Sequence, residues 1–168
     1  DTTLSRAPEV IRHPETGNPE LLLTDKQQQL YRMDEDGAIR WKKSLLTEKM
    51  GAADTIDLYQ SGGQQHLFSP PGRLHLLNHD GQEMPGFPLS LSAPAVTEVR
   101  TYTYAGMGDY RYFVGCQNNR IYGYQGNGSP LAGWSPVRLD APLAFPVKYF
   151  RYRGKLRLFG VTEQGTLY

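Results

Sequence analysis

A pattern recurs along this 168-residue chain at intervals of 44, 47 and 46 residues, marked by the apolar-aromatic pairs Leu30-Tyr31, Leu74-His75, Ile121-Tyr122 and Leu167-Tyr168. Internal repetition at this period restricts the fold more than composition does, because each copy must be one supersecondary unit that buries its face against the next. The copies read LLLTDKQQQLYRMDEDGAIRWKKSL from Leu21, HLFSPPGRLHLLNHDGQEMPGFPLSL from His66, YFVGCQNNRIYGYQGNGSPLAGWSPVRL from Tyr112 and LRLFGVTEQGTLY from Leu156. Their apolar runs are four to eight residues long, rich in β-branched and aromatic side chains, and separated by Gly, Asn, Asp and Pro. That is strand and turn chemistry, and no sustained helical period is present. The loops DEDG (Asp34 to Gly37), NHDG (Asn78 to Gly81) and QGNG (Gln125 to Gly128) supply the residues that hairpin turns require. An earlier run in the later copies, TIDLYQ from Thr55, VTEVRTYTY from Val96 and FPVKYFRYR from Phe145, brings the count to four strands per unit.

Four-stranded units of about 45 residues are the sequence form of propeller blades. The expected fold is therefore all-β and β-propeller-like, with antiparallel four-stranded blades over residues 8–45, 46–91, 92–139 and 140–168 in one domain. That makes about three and a half to four blades, the last one incomplete. Closed rings use four to eight. The chain is thus expected either to be part of a longer protein or of a ring assembled from several copies, or to be a compact four-bladed monomer. In the second case Asp1 to Arg12 would complete the last blade. Trp41, Phe87 and Trp134 hold equivalent positions in three copies and are assigned as structural repeat positions.

The segments DEDGAIRWKKSL, NHDGQEMPGFPLSL and GNGSPLAGWSPVRL resemble the blade signature of quinoprotein-like (PQQ-like) and VCBS/FG-GAP-like propellers, with an Asp-Gly turn followed by a Gly-Trp-Pro or Gly-Phe-Pro closure. The resemblance implies a blade and no particular activity. It also implies a bacterial envelope setting, periplasmic or at the cell envelope. The calcium loops of such repeats resemble D-x-D-x-D-G, whereas DEDG places only Asp34 and Asp36 at alternate positions, so calcium is disfavoured. No quinone cofactor set is visible, and no cofactor or metal is assigned.

Charge is balanced, 18 Lys+Arg against 17 Asp+Glu, and interspersed, which removes the electrostatic reason for a nucleic-acid or anionic-membrane partner. No stretch is apolar enough for a membrane span. The single cysteine, Cys116, excludes an internal disulfide framework and reads as a buried thiol. His75 takes the slot of Tyr31, Tyr122 and Tyr168 and reads as packing, while His79 reads as an exposed turn residue. The acid pairs Asp34/Asp36 and Glu15/Glu20 are local, and turn chemistry accounts for Asp34/Asp36. No G-x-S-x-G elbow, phosphate loop or zinc-protease pattern occurs.

The remaining feature is a basic-aromatic stretch, Lys148 to Arg157, beside a tyrosine-rich one. From these, Tyr102, Tyr104, Tyr149, Arg151 and Arg153 form the candidate interaction surface, since Tyr and Arg dominate binding hot spots. The competing reading is strand packing with solvated cations. The expected function is a non-catalytic protein-binding or scaffolding module, working through a protein partner or self-association at open blade edges. Two alternatives stand beside it: a glycan-binding propeller of the lectin type, and a lyase or hydrolase with its site in the channel.

Overall fold

The computed structural model describes residues 3–48, 50–104, 106 and 108–168, and those residues contain strands and no helix. The first sheet is a meander of β1 (Glu9–Arg12), β2 (Pro19–Thr24), β3 (Gln29–Met33) and β4 (Ile39–Ser44). The second repeats it with β5 (Met50–Ile56), β6 (Gln65–Ser69), β7 (Arg73–Leu77) and β8 (Leu89–Ser90). The third has β9 (Arg100–Thr103), β10 (Tyr110–Cys116), β11 (Arg120–Gln125) and β12 (Val137–Arg138). A fourth unit has two strands, β13 (Lys148–Tyr152) and β14 (Lys155–Phe159), extended by a bridge between Val161 and Leu167. The architecture is all-β and propeller-like, made of antiparallel meanders in sequence order.

The N-terminal segment corrects one expectation. Glu9–Arg12 pairs with Pro19–Thr24 inside the first blade, and Leu4 bridges Asp25 there, so this segment does not close the fourth unit. Its registry is local because a short hairpin brings the two strands together with little loop-closure entropy.

Each turn between the third and fourth strands uses a glycine in the left-handed region: Gly37, Gly81 and Gly128 have φ of 83°, 78° and 86°. The acid or amide that opens the turn caps it. Asp34 Oδ1 accepts the amides of Asp36 and Ala38, and Asn78 Oδ1 those of Asp80 and Gln82. This is why the Asp34 carboxylate of DEDG points into its own turn, and the capping amides hold it below the usual carboxylate range.

Three hydrophobic cores lie between successive blades. Ile11, Leu22 and Leu30 of the first blade meet Phe68 and Leu77 of the second. Ile56, Leu67 and Leu74 meet Val99, Tyr112 and Val114 of the third. Tyr102, Phe113 and Ile121 meet Leu143, Val147 and Leu158 of the fourth. Period-two alternation explains the arrangement, since neighbours such as Leu67 and Phe68 face opposite sides of one sheet and so enter different cores. Trp41, Phe87 and Trp134 each pack at the margin of one of these three cores.

Candidate interaction surface

The residues singled out from the sequence separate when placed on this scaffold. Tyr102 is not on a surface: it is 7% exposed and belongs to the core between the third and fourth units. Its hydroxyl donates to the carbonyl of Val147, and burial pushes its pKa up to about 12. The ring of Tyr149 lies over it, with centroids 4.2 Å apart. Tyr104 is exposed, its ring lies 3.6 Å from the guanidinium carbon of Arg111, and its carbonyl accepts a bond from Arg151. These contacts bring Tyr104, Tyr149 and Arg151 together on the side of the β13–β14 ribbon that packs on the third blade. Arg153 sits at the ribbon's turn, with φ of 49° and its guanidinium 5.2 Å from the Tyr152 ring centroid.

The opposite side of the ribbon carries what the sequence reading missed. Strand pairing sets up equivalences between units: Ile11, Ile56, Tyr102 and Phe150 each lie opposite the residue that opens the core-facing part of the second strand. Leu22, Leu67, Phe113 and Phe159 are equivalent on the second strand, and Leu30, Leu74, Ile121 and Leu167 on the third. In the first three units these trios fill a core against the next blade. In the fourth no further blade of the described residues packs over them. Phe150 is 49% exposed where its counterparts are 6%, 4% and 7%, and Leu167 is 68% exposed where its counterparts are 0%, 0% and 5%. Phe150 and Phe159 contact each other, with centroids 5.9 Å apart, and line an open groove of about 600 Å³ with Tyr152, Leu158, Leu167 and Tyr168. The signal for these residues was present in the repeat register, not in composition.

The first blade has a matching open side. Val10, Leu21, Met33 and Ile39 are successive cross-strand partners over all four strands, on the side away from the second blade. Val10 and Ile39 at the ends of this row are 69% and 55% exposed.

The other chemical candidates are occupied or shielded. His75 stacks on Phe68 at 5.2 Å and its Nδ1 lies 2.6 Å from Glu83 Oε1, next to Lys43. Cys116 is buried, and burial pushes its thiol up to about 12, far from the thiolate a nucleophile needs. Glu20, noted with Glu15 as a local acid pair, is 2% exposed and paired with Arg32 through two bonds of 2.8 and 2.5 Å. His79 is in a turn as expected but not exposed: its side chain keeps 17% of its surface.

No known family profile and no curated protein sequence match the chain. Solved structures do match. BBS1N, from its complex with ARL6DN, superposes with a TM-score of 0.69 at 14% identity, over 95% of this chain and 45% of that one. The structure of the fission yeast SREBP-SCAP binding domains superposes with a TM-score of 0.55 at 12% identity, over 99% of this chain and 45% of that one. This chain therefore spans less than half the length of both, and at such identities the likeness concerns fold.

Proposed function

We propose that this chain is a non-catalytic protein-binding module of the propeller type, possessing one preformed half-core on its fourth unit that receives a blade. The carrying observation is the exposure of Phe150 and Leu167, beside a half-buried Phe159, at positions whose counterparts are buried in all three complete blades. Burying an exposed aromatic or leucine side chain contributes roughly 1.5–3 kcal/mol, so Phe150 and Leu167 together provide a substantial drive for docking. The occupant we assign is the first blade of a second copy. Its open row Val10, Leu21, Met33 and Ile39 is apolar and spans the whole sheet, as the half-core requires. Such a head-to-tail contact is heterologous, and closes into a ring where the rotation allows.

Two further observations support a binding role. The relatives in fold are BBS1N held in a complex with ARL6DN and a pair of SREBP-SCAP binding domains, both described as proteins engaged with proteins. Cys116 is shielded and His75 is stacked and carboxylate-paired, so neither is posed as a nucleophile or a free base. The blade resemblance extends the proposal to the quinoprotein-like or VCBS/FG-GAP-like repeats of bacterial envelope proteins.

Sedimentation velocity over a concentration series tests the docking. The unmodified chain is expected to associate, and Leu167→Glu or Val10→Glu, at solvent-exposed positions, is expected to leave a folded monomer whose melting temperature no longer depends on concentration. A monomer at every concentration for the unmodified chain overturns the self-docking assignment.

A further inference from the structure

Where the first two blades meet, a polar pocket brings together three side chains that lie outside the interblade hydrophobic core. His13 lies in the loop between β1 and β2, Glu20 on β2, and His79 in the NHDG turn after β7. One ligating atom from each lies within 4.8 Å of the others. The rings of His13 and His79 meet edge to face with centroids 4.8 Å apart, and His79 Nε2 is 3.9 Å from Glu20 Oε2. We propose that His13, Glu20 and His79 form a binding site for a divalent transition-metal ion of the zinc class, joining the first blade to the second.

The first argument is the state of His79. Both of its ring nitrogens are buried and neither has a hydrogen-bond partner among the described residues. Buried polar atoms are seldom left this way, and an unpaired one costs about 1–3 kcal/mol. A metal would remove that deficit. The residue is also held firmly in place, since its carbonyl accepts bonds from Trp41 Nε1 at 2.8 Å and Arg32 Nη1 at 3.1 Å. Preorganisation of the backbone lowers the entropy lost on coordination.

The donor set is the second argument. Two imidazoles and one carboxylate match zinc-type ions, with a water completing four-coordination, and they do not match calcium, which takes about 6–8 oxygens. With bonds of about 2.0–2.1 Å, tetrahedral ligand atoms stand about 3.3 Å apart. Coordination requires side-chain rotations that draw the ligating atoms, now within 4.8 Å of one another, to that spacing.

Charge needs a closer account because Arg32 is part of the cluster. Arg32 takes one acceptor site on each Glu20 oxygen, and each carboxylate oxygen has a second. Around the pocket Asp34, Glu35 and Asp80 join Glu20, against Arg32 and Arg40, so acids exceed bases by four to two. The field there favours a cation. His13 Nδ1 accepts the amides of Glu15 and Thr16 at 3.2 and 3.3 Å, long bonds in an exposed loop that water can replace when the ring coordinates.

Titration of the tag-free chain with Zn²⁺ by calorimetry tests the site, with Co²⁺ absorption reporting its geometry. The expected result is one ion per chain, a tetrahedral cobalt spectrum and a raised melting temperature with metal, because a ligand bound to the folded state stabilises it by mass action. His79→Ala and His13→Ala should each weaken uptake at least about tenfold. His13 is on a surface loop, so its variant folds even where the His79 variant does not, and circular dichroism of the metal-free proteins checks this. Absence of Zn²⁺ uptake, or uptake that is unchanged in His13→Ala, overturns the proposal.

Discussion

The side of the third blade that faces the fourth, and the outer side of the fourth, are built from equivalent residues. Tyr102, Phe113 and Ile121 are buried; Phe150, Phe159 and Leu167 are not. Local chemistry is the same in both, apolar side chains at one register of antiparallel strands. What differs is the presence of a neighbour. A blade is thus half of a core, and its sequence encodes a request for burial that only the adjacent blade can answer.

That comparison can be broken by mutation, and the largest effect is expected where it is sharpest. Phe113→Ala should destabilise the fold by about 3–5 kcal/mol in chemical denaturation, because it opens a cavity between two blades. Phe159→Ala, at the equivalent open position, should change stability by less than about 1 kcal/mol while weakening association. Similar losses at both sites would show that the fourth half-core is already covered.

The junction of the first and second blades should respond next. Glu20→Gln leaves Arg32 buried without its counter-ion, and removing one partner of a buried pair destabilises by about 3–5 kcal/mol. Acid should act in the same direction on the unmodified chain. Burial raises the Glu20 carboxyl, but the Arg32 hydrogen bond and charge outweigh this and hold it below its usual 4.5, so its stabilisation exists above that value and is lost as pH falls through the lowered one. Burial and the Arg32 charge also hold His79 below 6.5, so the unfolded chain takes up that proton first and stability begins to fall below pH 6.5. Melting temperatures from pH 7.5 to 3 should decline, and the part of the decline below pH 4.5 should flatten in Glu20→Gln. A stability independent of pH would sink this account.

Turn glycines give the smallest contrast. Gly37→Ala and Gly81→Ala both place a side chain at positive φ, costing roughly 1–2 kcal/mol. At Gly81 the added Cβ would also stand 2.7 Å from the Trp41 ring in a closed interface, whereas at Gly37 it would meet nothing within 4 Å. Gly81→Ala should therefore lower the melting temperature further than Gly37→Ala; equal effects would place Trp41 away from that turn.

Much of the fold was legible because it is periodic. The pairs at Leu30, Leu74, Ile121 and Leu167, the turns DEDG, NHDG and QGNG, and the aromatics Trp41, Phe87 and Trp134 mark units that the structure resolves as successive meanders. The surface was less legible. Tyr102 and Tyr104 share one side of a strand by alternation, yet Tyr102 lies beneath Tyr149 and Tyr104 lies at the end of the strand in solvent. Composition ranked the tyrosines and arginines above Phe150, Phe159 and Leu167, because Tyr and Arg are frequent at interfaces and a lone Leu or Phe is not distinctive.

Strand order, turn positions and the choice of which residues want burial were determined by the sequence itself, since period-two alternation and glycine-bearing turns act over a few residues. Which of those residues obtain burial was decided by tertiary structure. So was the meeting of His13, Glu20 and His79, which lie up to 66 positions apart. Packing one sheet against another is a contact between distant parts of the chain, and no local spacing records which loop will stand beside which strand.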